Sequence, residues 1–137
     1  HNDFHQNNIL IYGSDIIPID FDDSRFNWFA CDIAISLYDA ACLFKSEQYK
    51  IKGKFIRNFL RGYIRENSIN NYYMDLMPKF LKFREIYVYL FYITNWNLEK
   101  LNPMQRDVLK TLKSRIEDEV PCVDVDVNDI LNDLSGW

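Results

Sequence analysis

Glycine is scarce in this chain. Gly13, Gly53, Gly62 and Gly136 each stand alone, which excludes a glycine-rich loop of the kind that wraps phosphates. Cysteine is sparse and odd in number, with Cys31, Cys42 and Cys122 far apart among apolar neighbours. That spacing excludes a disulfide framework and a paired CxxC metal knuckle, and reduced, mostly buried thiols are expected instead. A basic excess is missing too, since 16 Lys and Arg face 20 Asp and Glu for a net charge of -4. Nucleic acid is therefore not an expected partner. The most apolar stretch, Phe80 to Trp96, is interrupted by Lys82, Arg84 and Glu85 before any span of about 20 apolar residues builds up. No membrane helix, secretory signal, repeat or low-complexity tract is read, and the expected location is the cytoplasm.

What is present is a globular composition, 48% hydrophobic and 16% aromatic over 137 residues, enough for a single domain spanning 1–137. NILIY (8–12) and IIPID (16–20) are short β-branched runs around the turn signal GSD, which predicts a hairpin. From Trp28 the period changes. DIAISLYDAACLF (32–44) is apolar nearly all round, as in a buried helix. Ser46 is placed to cap a second helix running to about Glu66, with Ile51, Phe55, Phe59, Leu60 and Tyr63 on one face. A third helical region spans Tyr72 to about Asn95 with a break just before Pro78. Asn102 and Pro103 open a fourth, striped by Val108, Leu109, Leu112 and Ile116. After Pro121 a short alternating piece and one helical turn are expected. The predicted class is α+β, mainly α, with a β-hairpin followed by about four helices.

The chemistry-bearing stretch is HNDFHQNN at residues 1–8. His1, Asp3 and Asn8 fit HxDxxxxN, the spacing of the protein-kinase catalytic loop, in which the Asp accepts the hydroxyl proton and the Asn holds a magnesium ion. Asp20, at the end of the second strand, lies where kinases keep a second metal-binding Asp. Phosphoryl transfer from ATP needs an acceptor hydroxyl placed in line with the γ-phosphate and a hard cation held by oxygen donors. Two other readings stay open on these residues. HxDxH with a further Asp could ligate the transition metal of a hydrolase, although no third histidine exists. A kinase-like binding protein without turnover could retain the same loop.

HNDFHQNNILI followed by IPIDFDDSRFNWFACDIAISLYDA resembles the aminoglycoside phosphotransferase and choline kinase family, which is similar to protein kinases in fold and carries HGDxxxxN, then IDF(D/E)D, then a YDIA-like segment. FLRGYIREN and PKFLKFREIYVY extend the likeness over nearly the whole chain. The resemblance implies a protein-kinase-like C-terminal lobe, with Asp3 as catalytic base and Asn8 and Asp20 as ligands for Mg²⁺ bound with ATP. It further implies that His1 braces the loop and that Asp32 supports the loop backbone. Asn2 replaces the family's usual glycine, and Asn best tolerates left-handed geometry after Gly. It implies as well that the nucleotide-binding lobe lies outside these residues, so the chain alone is expected to be inactive. The acceptor would be a small hydroxyl compound such as an aminoglycoside, an amino alcohol, homoserine or a sugar, with the acidic loop leaning toward a cation.

Asp22, Asp23 and Asp39 are further substrate candidates. His5 is read as a loop residue without a role of its own, Trp28 and Phe29 as packing between loop and helix, and the aromatic row Tyr87, Tyr89, Phe91 and Tyr92 as core. Asp124, Asp126, Asn128 and Asp129 lack the glycine and glutamate of a calcium loop.

Overall fold

The computed structural model describes residues 1–43, 49–68 and 70–122. A two-stranded antiparallel hairpin, β1 (Ile9–Tyr12) and β2 (Asp15–Pro18), precedes five helices: α1 (Phe29–Leu43), α2 (Tyr49–Glu66), α3 (Asn71–Asp75), α4 (Met77–Asn95) and α5 (Pro103–Glu117). Ile9 pairs with Pro18 and Tyr12 with Asp15, so Gly13 and Ser14 form the turn. Gly13 takes a left-handed φ of 61°, which a hairpin turn of two residues requires and glycine adopts without strain.

Helix α1 is the hub, packed against α2 on one side and α4 on another, and α5 in turn lies on α4. Its Ala30, Ile33, Ala34, Leu37 and Tyr38 join Ile56 and Leu60 of α2, Met74 of α3, and Met77 and Leu81 of α4 in one core. The recurrence at three, four and seven residues along α1 is the helical period, doubled because the helix is covered on two faces. Each fully buried Leu, Ile or Met side chain here contributes roughly 1.5–3 kcal/mol. On α2 the buried positions are Ile56 and Leu60, with Phe59 and Tyr63 flanking and Phe55 exposed. The buried face is thus turned by one residue from the one expected at Phe55.

The expected break before Pro78 falls at Leu76, between α3 and α4, and Pro78 sits in the first turn of α4, where a missing N–H costs nothing. Asn102 caps α5 through a reciprocal capping box with Gln105, satisfying two otherwise orphaned donors. Cys31 is buried and Cys122 half-buried, both free thiols. No described helix is long and apolar enough to cross a membrane. Ser46 and the acidic tail from Asp124 lie outside the described residues.

Candidate active site

Residues 1–8 form a loop closed by a 3-10 turn at Gln6–Asn8, and α1 holds that loop at two places. In its first turn, Asp32 accepts from the backbone nitrogens of His1 (3.2 Å) and Asn2 (2.5 Å). One turn later the buried Ser36 Oγ donates to the Phe4 carbonyl at 2.8 Å. Asn2 has a φ of 64°, the left-handed geometry its amide side chain tolerates. The His1 ring donates through Nε2 to the Ile19 carbonyl at 3.0 Å and lies against Phe21, with ring centroids 4.6 Å apart. It thereby ties the start of the loop to the exit of β2.

Asp3 is fixed from three directions. Its Oδ2 accepts from Asn8 Nδ2 at 3.2 Å and lies 3.2 Å from His5 Nε2. Because His5 Nδ1 accepts from the Asn7 N–H, the neutral ring carries its proton on Nε2 and donates it to Asp3. Oδ1 accepts from an Arg84 nitrogen of α4 at 3.0 Å. Asn8 is buried, and its Nδ2 also donates to the Asp3 carbonyl at 3.0 Å. With the amide nitrogen committed, Oδ1 is the end left to hold a cation.

Asp20 follows Ile19, whose N–H donates to the Asn8 carbonyl at 3.0 Å, so the strand pairing carries Asp20 to the same open end of the hairpin as Asn8. Asp20 is exposed with a φ of 60°, the left-handed geometry that Asp, like Asn, tolerates better than most residues. Its carboxylate has no partner among the described residues. One amide oxygen and one free carboxylate suit a hard divalent cation that keeps most of its shell for water and phosphate.

Beside Asp3 and His5 opens a cleft of about 960 Å³ between α1, α4 and α5, walled by Tyr38 and Asp39, Tyr87 and Phe91, and Asp107 and Thr111. That is the size of a small-molecule site. Asp39 is not free in it, because Arg84 also reaches Asp39 Oδ2 at 3.2 Å. Burial pushes the Asp39 carboxyl above the usual carboxylate range, outweighing the pull of the adjacent guanidinium. Asp23 reaches the rim and faces Arg25 at 3.7 Å. Asp22 is exposed and takes no part in lining the cleft.

Several of these groups were not expected from the sequence. His5 touches the carboxylate at the centre of the site, and Tyr87, Phe91 and Tyr92 line the cleft rather than filling the core. Trp28 and Phe29 are mostly exposed, with Trp28 near Phe80 at 6.0 Å. Arg84 and Ser36 had only weak signals, a charge inside an apolar run and a hydroxyl within a buried helix. The two histidines do not converge on one point, and among the described residues no three His, Cys, Asp or Glu side chains gather as a metal site. The hydrolase arrangement of HxDxH is therefore not formed.

The model of the phosphotransferase enzyme family (APH) matches residues 1–71. The chain belongs to that family. A curated family relative, the amicoumacin kinase of Bacillus subtilis (strain 168), is 27% identical over 124 residues, covering 88% of this chain and 37% of the relative. Among solved structures, the amicoumacin kinase hAmiN in complex with AMP-PNP, Ca²⁺ and Ami superposes with a TM-score of 0.84 at 28% identity, covering 94% of this chain and 40% of that one. The chain thus spans well under half the length of these phosphotransferases. The match confirms the expected fold, a kinase-like, mainly helical body with a small hairpin.

Proposed function

We propose that this chain forms the catalytic-loop and acceptor side of an ATP-dependent kinase that transfers the γ-phosphate to a hydroxyl of a small molecule. The observation that carries this reading is Asp3, a carboxylate held at the mouth of a small-molecule cleft beside an amide turned to offer its oxygen. Asp3 orients the acceptor hydroxyl and takes its proton, while Asp32 and His1 keep the loop in place. Asn8 and Asp20 would hold Mg²⁺, which neutralises phosphate charge when bound. The AMP-PNP and Ca²⁺ bound by the similar solved kinase support a nucleotide donor and a divalent cation here. With no glycine-rich loop of its own, the lobe is assigned its remaining nucleotide contacts from residues outside the chain.

The acceptor sits against the aromatic wall of α4. Since Asp39 is already paired with Arg84, Asp107 on α5 is the cleft carboxylate without a partner among the described residues and the one to meet a cationic group. Amicoumacin, the compound that names the relatives, is the first acceptor to try, alongside aminoglycosides, amino alcohols, homoserine and sugars.

The test is phosphotransfer from ATP and magnesium by the complete protein carrying these residues. Asp3→Asn should stay folded and lose about 10²–10⁴-fold in turnover, the range of a missing general base. Undiminished phosphotransfer would remove Asp3 from that role. Asp20→Ala should weaken magnesium-dependent nucleotide binding by calorimetry, and an unchanged affinity would take it out of the metal site.

A further inference from the structure

Arg84 stands in the middle of α4, 81 residues from Asp3 and 45 from Asp39, yet one of its terminal nitrogens reaches both, at 3.0 and 3.2 Å. The side chain is 12% exposed. Its guanidinium lies 5.6 Å from the centre of the Tyr87 ring, within cation–π distance. Meanwhile Nε is buried without a hydrogen-bond partner. A guanidinium free to maximise its own pairing would use its fork on one carboxylate. This one shares a single nitrogen between two, leaving a donor unused, so its geometry is set by the spacing of the carboxylates it joins.

We propose that Arg84 is a positioning residue for Asp3: bridging Asp3 and Asp39 from α4, it sets the orientation in which the Asp3 carboxylate meets the acceptor hydroxyl. The proposal rests on Asp3 being the base and adds the residue that aims it. Asn8 and His5 both grip Oδ2, and both belong to the same short loop as Asp3. They hold the carboxylate relative to the loop and to α1, which carries that loop, but not relative to α4. Among the described residues, only Arg84 ties Oδ1 to the helix whose Tyr87 and Phe91 line the cleft. It also stands between two carboxylates that would otherwise repel each other across the cleft. Arg84 itself lines the cleft, so the split between kcat and KM separates a lost aim from a lost acceptor contact. Removing it should let the Asp3 carboxylate turn about its last torsion, away from Asp39.

The experiment is steady-state phosphotransfer by the complete protein, using amicoumacin or, if that is not phosphorylated, the hydroxyl compound of the acceptor panel that is turned over fastest. Arg84→Ala should lower kcat by about 100-fold, the cost of misplacing a reacting group by about 1 Å, with the acceptor KM within about threefold. Arg84→Lys keeps a cation that a single nitrogen can share and should recover about tenfold of that loss. Adding Asp39→Asn to Arg84→Ala should also recover turnover, because it removes the charge that repels Asp3. A raised KM with unchanged kcat would make Arg84 an acceptor contact and overturn the proposal, as would unchanged kinetics in Arg84→Ala or no recovery in either rescue. If Arg84→Ala does not fold, Arg84→Lys decides by the same split between kcat and KM. Activity abolished by Asp3→Asn but untouched at Arg84 would sink this proposal alone, whereas full activity in Asp3→Asn, or no phosphotransfer to any acceptor, would sink the reading it rests on.

Discussion

Arg84 and Glu85 are neighbours in sequence on α4, and a helix turns successive side chains by about 100°, so they serve two clusters of opposite character. Arg84 faces the cleft, where one guanidinium is shared between the Asp3 and Asp39 carboxylates and negative charge is in excess. Glu85 faces α5 and is fully buried, with Lys82 Nζ at 2.7 Å, Arg115 Nε at 3.0 Å and the Cys122 thiol at 3.2 Å. There one carboxylate meets two cations. Lys82 also donates to the Arg115 and Val120 carbonyls at 3.1 and 2.7 Å, so the second cluster fastens the end of α5 and the segment after it onto α4. The same ionic chemistry holds a cleft carboxylate in place on one side and the fold on the other. The surplus of carboxylate lies at Asp3 and Asp39, and the surplus of cation at Glu85.

The comparison breaks hardest at Lys82. Lys82→Met removes one of the two cations from a carboxylate that has no access to water, and losing one member of a buried pair costs about 3–5 kcal/mol. The midpoint of urea unfolding should fall accordingly with an unchanged slope, while turnover per folded molecule stays within a few-fold of the parent. A Lys82→Met protein of normal stability would mean that Arg115 alone suffices for Glu85 and that Lys82 does not fasten α5.

Arg84→Lys should show the reverse pattern. Its kcat falls by about tenfold, some 1.4 kcal/mol in the barrier, and its unfolding midpoint moves less than that of Lys82→Met, because the cation remains. If the two variants lost stability and activity in the same proportion, the two clusters would be one structural unit and the division drawn here would fail.

Which parts of this were legible beforehand follows from how far apart the partners lie in the chain. Asp3 and Asn8 are five residues apart, and their hydrogen bond belongs to a loop whose spacing is itself the signal. Asp20 is brought to them by a hairpin whose register was readable from NILIY, GSD and IIPID. The cap at Asn102 and the break before Pro78 were equally local, each resting on one residue's backbone chemistry. Arg84 and Glu85 stood out only as charges interrupting an apolar run, since their partners Asp3, Asp39 and Arg115 are 30 to 81 residues away. Lys82 and Glu85 lie three residues apart, a pairing that helical spacing allows, but nothing local could match Arg84 or Arg115 to their partners. Tyr87 and Phe91, four residues apart, make a stripe that fits a core and a cleft wall equally well. Only the placement of α5, which leaves a cleft above them, separates the two. His5 was passed over because a ring three residues before the amide of Asn8 can point either way, and the Asn7 N–H bond to Nδ1 decides it.

The smallest effect belongs to Cys122, at the edge of the Glu85 cluster. Burial, reinforced by the Glu85 carboxylate beside it, pushes the thiol up to about 12 from an ordinary value of 9.0. In that interval the unfolded chain releases the proton and the folded chain keeps it, so the folded state binds more protons and stability falls as pH rises from about 9. Cys122→Ala should lose about 1 kcal/mol or less near neutral pH, the worth of one weak hydrogen bond, and its stability should decline less steeply than the parent's above about pH 9. The same protonated thiol should react slowly with iodoacetamide at about pH 8 although it is only half-buried, because the thiolate is the nucleophile. Rapid alkylation of Cys122 in the folded protein would show that the thiol is not held against Glu85, and would confine that cluster to Lys82, Glu85 and Arg115.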